Sequence, residues 1–181
     1  QTLHIGFDPG NNFLLNFYNN DLNVPITNDN NWHHWACTFD NVTKQRKVYR
    51  DGTLIGQDIA SAAFQGTGNT TLYIGDIAYT SNEFDGSIDE LRVWTKVLSQ
   101  SEIQSSLNCE ISSQQGLAAA YHFNQGIGGV DNSTETVVTD AAGNGDNGNL
   151  TGFALTGTSS NCITPGGVVS GRVCPRCIGN I

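Results

Sequence analysis

Apolar residues along this chain fall in short runs divided by clusters of Asn, Asp, Gly and Thr, the punctuation of many short strands rather than of long helices. QTLHIGF (Gln1 to Phe7), FLLNFYNNDLNV (Phe13 to Val24), HHWACTFD (His33 to Asp40), RKVYRDGTLIG (Arg46 to Gly56) and TTLYIGD (Thr70 to Asp76) are each predicted to be strands. Asp51-Gly52 sits between two β-rich runs, and both residues tolerate positive φ, so Arg46 to Arg50 should pair with Thr53 to Gln57 across a two-residue turn. Further on, Ile88, Glu90, Arg92 and Trp94 alternate with Ser87, Asp89, Leu91 and Val93, the period of a strand, and both sets contain apolar residues, as a strand inside a sandwich requires. Ser99 stands three residues before Glu102, the spacing of a capping box, and predicts a short helix from Gln100 to Leu107. Gly116 to Gly126 and Gly148 to Gly157 complete the predicted strands. Gly166 to Ile181 holds little that could bury a sheet face and reads as a linker, tail or start of a neighbouring module.

At 181 residues there is room for one sizeable core, and 21 Gly with only 14% charged residues suits an all-β domain. A net charge of −9 makes duplex nucleic acid an unsuitable partner. Half of the 8 basic residues crowd into Lys44, Arg46, Lys47 and Arg50, which reads as a solvated hairpin before an anion-binding patch. No apolar run approaches the ~18 residues of a membrane span. The chain contains no Met, and the expectation is that an upstream segment was removed or belongs to a longer precursor, with the mature protein secreted or at the cell surface.

WHHWACTFD (Trp32 to Asp40), VYRDGTLIG (Val48 to Gly56), LYIGD (Leu72 to Asp76) and FDGSIDELRVWTKVLSQSEI (Phe84 to Ile103), in this order, resemble successive blocks of the LamG-like jelly roll, a concanavalin A-like sandwich of secreted and surface proteins. The resemblance implies an all-β fold, an antiparallel two-sheet jelly-roll sandwich with one short helix, over residues 1–165. YHFNQG (Tyr121 to Gly126) with DAAGNGDNGNL (Asp140 to Leu150) is similar to the opening strands of such a domain, yet it follows the helix. Either the usual first strands lie upstream of Gln1, or the trailing segment completes the sandwich in a permuted order. An incomplete sandwich would expose sheet edges and seek a partner, in an adjacent module or another copy.

The resemblance implies a non-catalytic module that binds carbohydrate or a surface protein. Its alternatives are a structural subunit of an extracellular fibre or sheath, and a divergent glycoside hydrolase. Laminarinase-type hydrolases of this class place Glu-x-Asp-x-Glu on one strand, whereas Ser87, Asp89 and Leu91 stand at the comparable positions here, so two of the three carboxylates are missing. For a ligand, Tyr79, Asn82 and Glu83 combine an aromatic face with polar groups, against the plainer reading of a solvated connection.

Related sandwiches carry a structural Ca2+ ligand near Asp89, and the Gly-Asn loop with Asp140 and Asn144 could add hard oxygens. Asx turns are the simpler use of that loop. His33 and His34 are adjacent on a predicted strand and point to opposite faces, which suits packing better than chelation. Five cysteines cannot all pair within the chain. Cys109 and Cys162 are placed to tie the C-terminal segment to the body, Cys37 reads as a buried thiol, and Cys174 with Cys177 forms a single CxxC, expected to be oxidised in a secreted protein.

Overall fold

The computed structural model describes residues 2–17, 19–66, 71–76, 83–156, 162–163, 165–169 and 171–172. It divides into two compact units, one formed by Gln1–Asp85 with Val97–Leu107 and the other by Gly86–Lys96 with Asn108–Ile181.

The first unit contains two antiparallel three-stranded meanders: β1 (His4–Phe7), β2 (Asn12–Asn16) and β3 (Asp21–Pro25), then β4 (Trp35–Phe39), β5 (Gln45–Arg50) and β6 (Thr53–Ile59). Its helix is α1 (Gln100–Ser105). The inward residues Phe13, Leu15, Phe17 and Val24 of the first sheet pack with Val48, Trp35, Cys37 and Phe39 of the second. Phe13 stacks on Trp35 at 4.2 Å, and Phe17 meets Phe39 edge-on at 4.7 Å. Burial of aromatic and aliphatic area supplies most of the driving force for such a core.

The Asp51-Gly52 hairpin forms as expected: Arg50 pairs with Thr53, and both turn residues have positive φ, 50° and 72°. The run from Phe13 to Val24 is two strands, because Asn19 takes a positive φ of 60° and Phe17 N–H donates to the Asn20 carbonyl, closing a turn. The capping box also forms, with Ser99 Oγ accepting from Glu102 N–H while Glu102 accepts from Ser99 N–H at 2.7 Å. The helix stops at Ser105 rather than Leu107.

The basic cluster departs from expectation. Strand alternation turns Arg46 inward, where it is 1% exposed, bidentate to Asp58 at 2.8 and 2.5 Å, and donates to the carbonyls of Leu15 and Asn20. Its guanidinium also lies 5.3 Å from the centre of the Phe17 ring. A buried Arg needs such complete satisfaction, since an unpaired charge away from water is costly.

No strand covers residues 71–76; Leu72 and Tyr73 are consecutive and both exposed, and Gly75 has φ of 81°, so no sheet face develops there.

In the second unit β7 (Leu91–Trp94) pairs with β8 (Leu117–Tyr121), and β9 (Val137–Val138) with β10 (Gly148–Asn149). The predicted alternation from Ser87 is cut at Glu90, whose φ of 52° breaks the extended backbone, so the strand begins at Leu91. Only Gly148–Asn149 of the last predicted strand is paired. Ile111, Leu117, Ala120 and Ala142 form a small core with Trp94 and Ala141. The described part of the predicted tail is bound to this unit: Val168 N–H donates to Asp89, Gly171 N–H donates to Glu110, and Glu110 N–H donates to the Arg172 carbonyl.

Candidate ligand-binding groove

The alternation that buries Arg46 and Val48 sends their neighbours Gln45 and Lys47 to the outer face of β5. Register places Thr38 of β4 opposite Lys47, and Leu54 of β6 opposite Tyr49, just past an irregularity between Val48 and Tyr49. Together these residues floor a groove of about 460 Å³. Asp40 and the helical segment, through Val97, Leu98, Ser99, Gln100 and Glu102, wall it.

The helical wall is fixed to the hairpin by one carbonyl. Gln100 and Gln104 both donate side-chain amides to the Gly52 oxygen, at 2.8 and 3.0 Å. Gly52 is required twice over, by its positive φ and because a Cβ would stand 2.7 Å from Gln104 Cγ.

Polar groups on the groove floor are not engaged with the protein. Among the described residues, the side chains of Thr38, Gln45, Lys47 and Tyr49 make no hydrogen bond or ion pair. Tyr49 is the sharpest case, since it is 3% exposed and burial pushes its phenol pKa up, yet its hydroxyl has no partner. That oxygen is not among the polar atoms sealed from solvent without a partner, which leaves it reachable from the groove.

The wall carboxylates, by contrast, serve the backbone. Asp40 accepts from Thr43 and Val42 N–H, which hold its pKa below the usual carboxylate range. Glu102 completes the helix cap. Asp40, its pKa held low, is unsuited to act as a general acid near neutral pH.

A second polar cluster lies at the opposite end of β5. His33 Nδ1 meets Asp51 at 2.7 Å and Nε2 meets Asp29 at 2.9 Å; Arg50 donates to Asp29 at 3.0 Å and to the Thr27 carbonyl at 3.1 Å. The hydrogen bond to Asp51, with Asp29 assisting, raises the His33 pKa against the opposing effect of burial. His33, followed by the Asn31 N–H, lowers Asp29 to about 2. This network pins the loop before β4 to the hairpin, and its groups face one another rather than a ligand. A shallower depression of about 290 Å³ beside it is lined by Pro25, Ile26, Thr27, Arg50 and Ile55.

The residues singled out from sequence have other placements. Tyr79 and Asn82 lie outside the described residues, and Glu83 is exposed. Asp89 accepts from Val168 N–H at 2.9 Å. Asp140 is buried; burial pushes its pKa up, but N–H donors from Ala120, Ala142 and Asn144 outweigh that and hold it low. Asn144 gives its amide to the Ala118 and Leu117 carbonyls.

These oxygens close turns and strand ends. Among the described residues no three His, Cys, Asp or Glu side chains converge as a metal site. No disulfide joins Cys109 to Cys162; Cys162 Sγ instead sits where a Cβ on Gly126 would be, 2.6 Å away. Cys174 and Cys177 lie outside the described residues. Cys37 is a free thiol, half-buried rather than fully buried, packed against the core of the first unit, and desolvation pushes its pKa up to about 12.

The groove residues were missed because KQRK reads as one solvated turn. The usable signal was parity: Gln45 and Lys47 alternate with Arg46 and Val48.

Comparison with known proteins places this geometry. The chain is 30% identical over 147 residues to "Sushi, von Willebrand factor type A, EGF and pentraxin domain-containing protein 1" of Rattus norvegicus, covering 68% of this chain and 4% of that protein. The Mus musculus protein of the same name matches at 30% over 115 residues, covering 54% of this chain and 3% of that one. The chain therefore spans only a small fraction of the relatives it matches. A crystal structure assigned as a candidate carbohydrate-binding protein from Bacteroides ovatus ATCC 8483 superposes with a TM-score of 0.57 at 22% identity, over 74% of this chain and 38% of that one, a likeness of fold. A family profile, described as the concanavalin A-like lectin/glucanases superfamily (Laminin_G_3), matches residues 1–104, which include every residue of the groove, and the chain belongs to that family.

Proposed function

We propose that this chain is a non-catalytic recognition module of a secreted or cell-surface protein, binding carbohydrate or protein through the groove on the outer face of β4, β5 and β6. The observation that carries the reading is the unengaged floor: the solvent-reachable hydroxyl of an otherwise buried Tyr49 beside Thr38, Gln45 and Lys47, none of their side chains hydrogen-bonded among the described residues. Ligand sites present a few convergent polar groups of this kind on a surface that is already formed. The multidomain relatives support a place outside the cell. Among the described residues no helix is long and apolar enough to cross a membrane.

The reading excludes hydrolysis, because Asp40 and Glu102 are committed to backbone N–H groups. Arrays of glycans and extracellular proteins, probed with the native chain and with a Gln45→Ala, Lys47→Ala, Tyr49→Phe triple variant, test it. Signals that depend on the three residues support the reading, and identical signals from both proteins reject it.

One observation favours assembly as a second reading. On edge strand β1, Ile5 and Phe7 are 48% and 37% exposed, although their partners Leu15 and Phe13 on β2 are buried. An apolar edge without charge or proline invites strand pairing. Light scattering of the native chain and of Ile5→Lys tests it: a native oligomer that the variant dissolves supports assembly, and a native monomer removes it.

A further inference from the structure

Resting on the recognition reading above, we infer that the groove takes a neutral, polyhydroxylated saccharide and excludes sulfated or uronic-acid chains. The argument begins with charge. Among the groove residues Lys47 is the sole cation, against two carboxylates, Asp40 and Glu102. Asp40 is kept ionised at neutral pH by the N–H groups of Thr43 and Val42. A chain bearing a sulfate or carboxylate on each sugar would meet more negative than positive charge inside the groove, on a protein already at −9.

The groove instead offers mixed donors and acceptors at strand spacing. Lys47 donates only, the hydroxyls of Thr38 and Tyr49 donate and accept, and the Gln45 amide does both. Gln100 holds Gly52 with its amide nitrogen, so the oxygen of that amide remains as an acceptor on the wall. Vicinal hydroxyl groups of a neutral sugar match such a set, each giving one hydrogen bond and taking another. Tyr49 contributes its oxygen rather than a stacking face, because the residue as a whole is only 3% exposed. Recognition is therefore by hydrogen bonds, with little dependence on salt.

The experiment is isothermal titration calorimetry of the intact chain with neutral probes (cellohexaose, mannohexaose and xylohexaose) and anionic ones (a heparin octasaccharide and oligogalacturonate), at low and high salt. The expected result is saturable binding of a neutral probe that salt leaves unchanged. Tyr49→Phe and Lys47→Ala should each weaken it roughly tenfold, as expected for loss of one buried hydrogen bond, with melting temperatures close to the native value. Salt-sensitive binding of an anionic probe, lost in Lys47→Ala, overturns the inference and leaves recognition through the groove intact. A protein ligand that needs the groove, with no saccharide bound, does the same. Saccharide binding indifferent to both substitutions overturns the inference and the recognition reading together.

Discussion

Two polar clusters share strand β5, and they are built in opposite ways. At Arg50 every charged group has a counterpart: Asp29 and Asp51 hold His33, and Arg50 holds Asp29 and a loop carbonyl. At Gln45, Lys47 and Tyr49, a few residues earlier on the same strand, the side chains reach no partner among the described residues. Composition does not separate the clusters, since both mix polar and aromatic residues. The difference is where the hydrogen-bonding capacity goes, into loop anchoring in one case and into an open groove in the other. A saturated network fixes a chain; an unsaturated one can select a ligand.

The largest effect is expected from a third, buried and fully partnered side chain of the same strand: Arg46→Ala strands Asp58 and the carbonyls of Leu15 and Asn20. A cost of about 3 kcal/mol is expected, at the low end for a broken buried pair because Asp58 is partly exposed, and urea unfolding measures it. Gly52→Ala comes next, since the new Cβ meets both a positive φ and Gln104. It should cost more than about 1 kcal/mol and loosen the helix wall, seen as faster amide exchange in Gln100–Ser105.

A gentler effect is expected from pH. Because the folded His33 pKa lies above its unfolded value of 6.5, the stability it contributes is complete below that value and is lost as pH rises through the folded pKa. Melting temperature should therefore fall on going from pH 6 toward alkaline buffer. Asp51→Asn should flatten the profile; a slope that survives this change would mean another group titrates.

The smallest change in stability belongs to the groove. Lys47→Ala should stay within about 0.5 kcal/mol of the native chain, as a side chain without a partner should. A loss comparable with that of Arg46→Ala would show that Lys47 has structural partners and that the groove is not the unsaturated side of β5.

How far the sequence revealed these features depended on how local they are. The Asp51-Gly52 turn and the Ser99 to Glu102 capping box were legible because neighbouring residues decide them. The groove was not, because its floor depends on the register of β4 against β5 and its wall comes from a helix far along the chain. Charge misled as well: Lys44, Arg46, Lys47 and Arg50 read as one solvated hairpin, yet Arg46 is a core residue and Arg50 a loop anchor. The alternation before Leu91 was extended too far because periodicity does not register a single backbone reversal, such as that at Glu90. The carboxylates offered to calcium have the right chemistry, but which donors they meet is settled only by the folded backbone.

The shared anchor of Gln100 and Gln104 on the Gly52 carbonyl has a consequence for inheritance. A lineage that replaces Gly52 must also shorten or redirect residue 104, whose Cγ occupies the space a Cβ would need. A lineage that loses both glutamines frees the turn to accept Asn at position 52, which also tolerates positive φ. Positions 52, 100 and 104 should therefore drift as a set, so that their joint pattern in descendants records whether the helix still walls the groove.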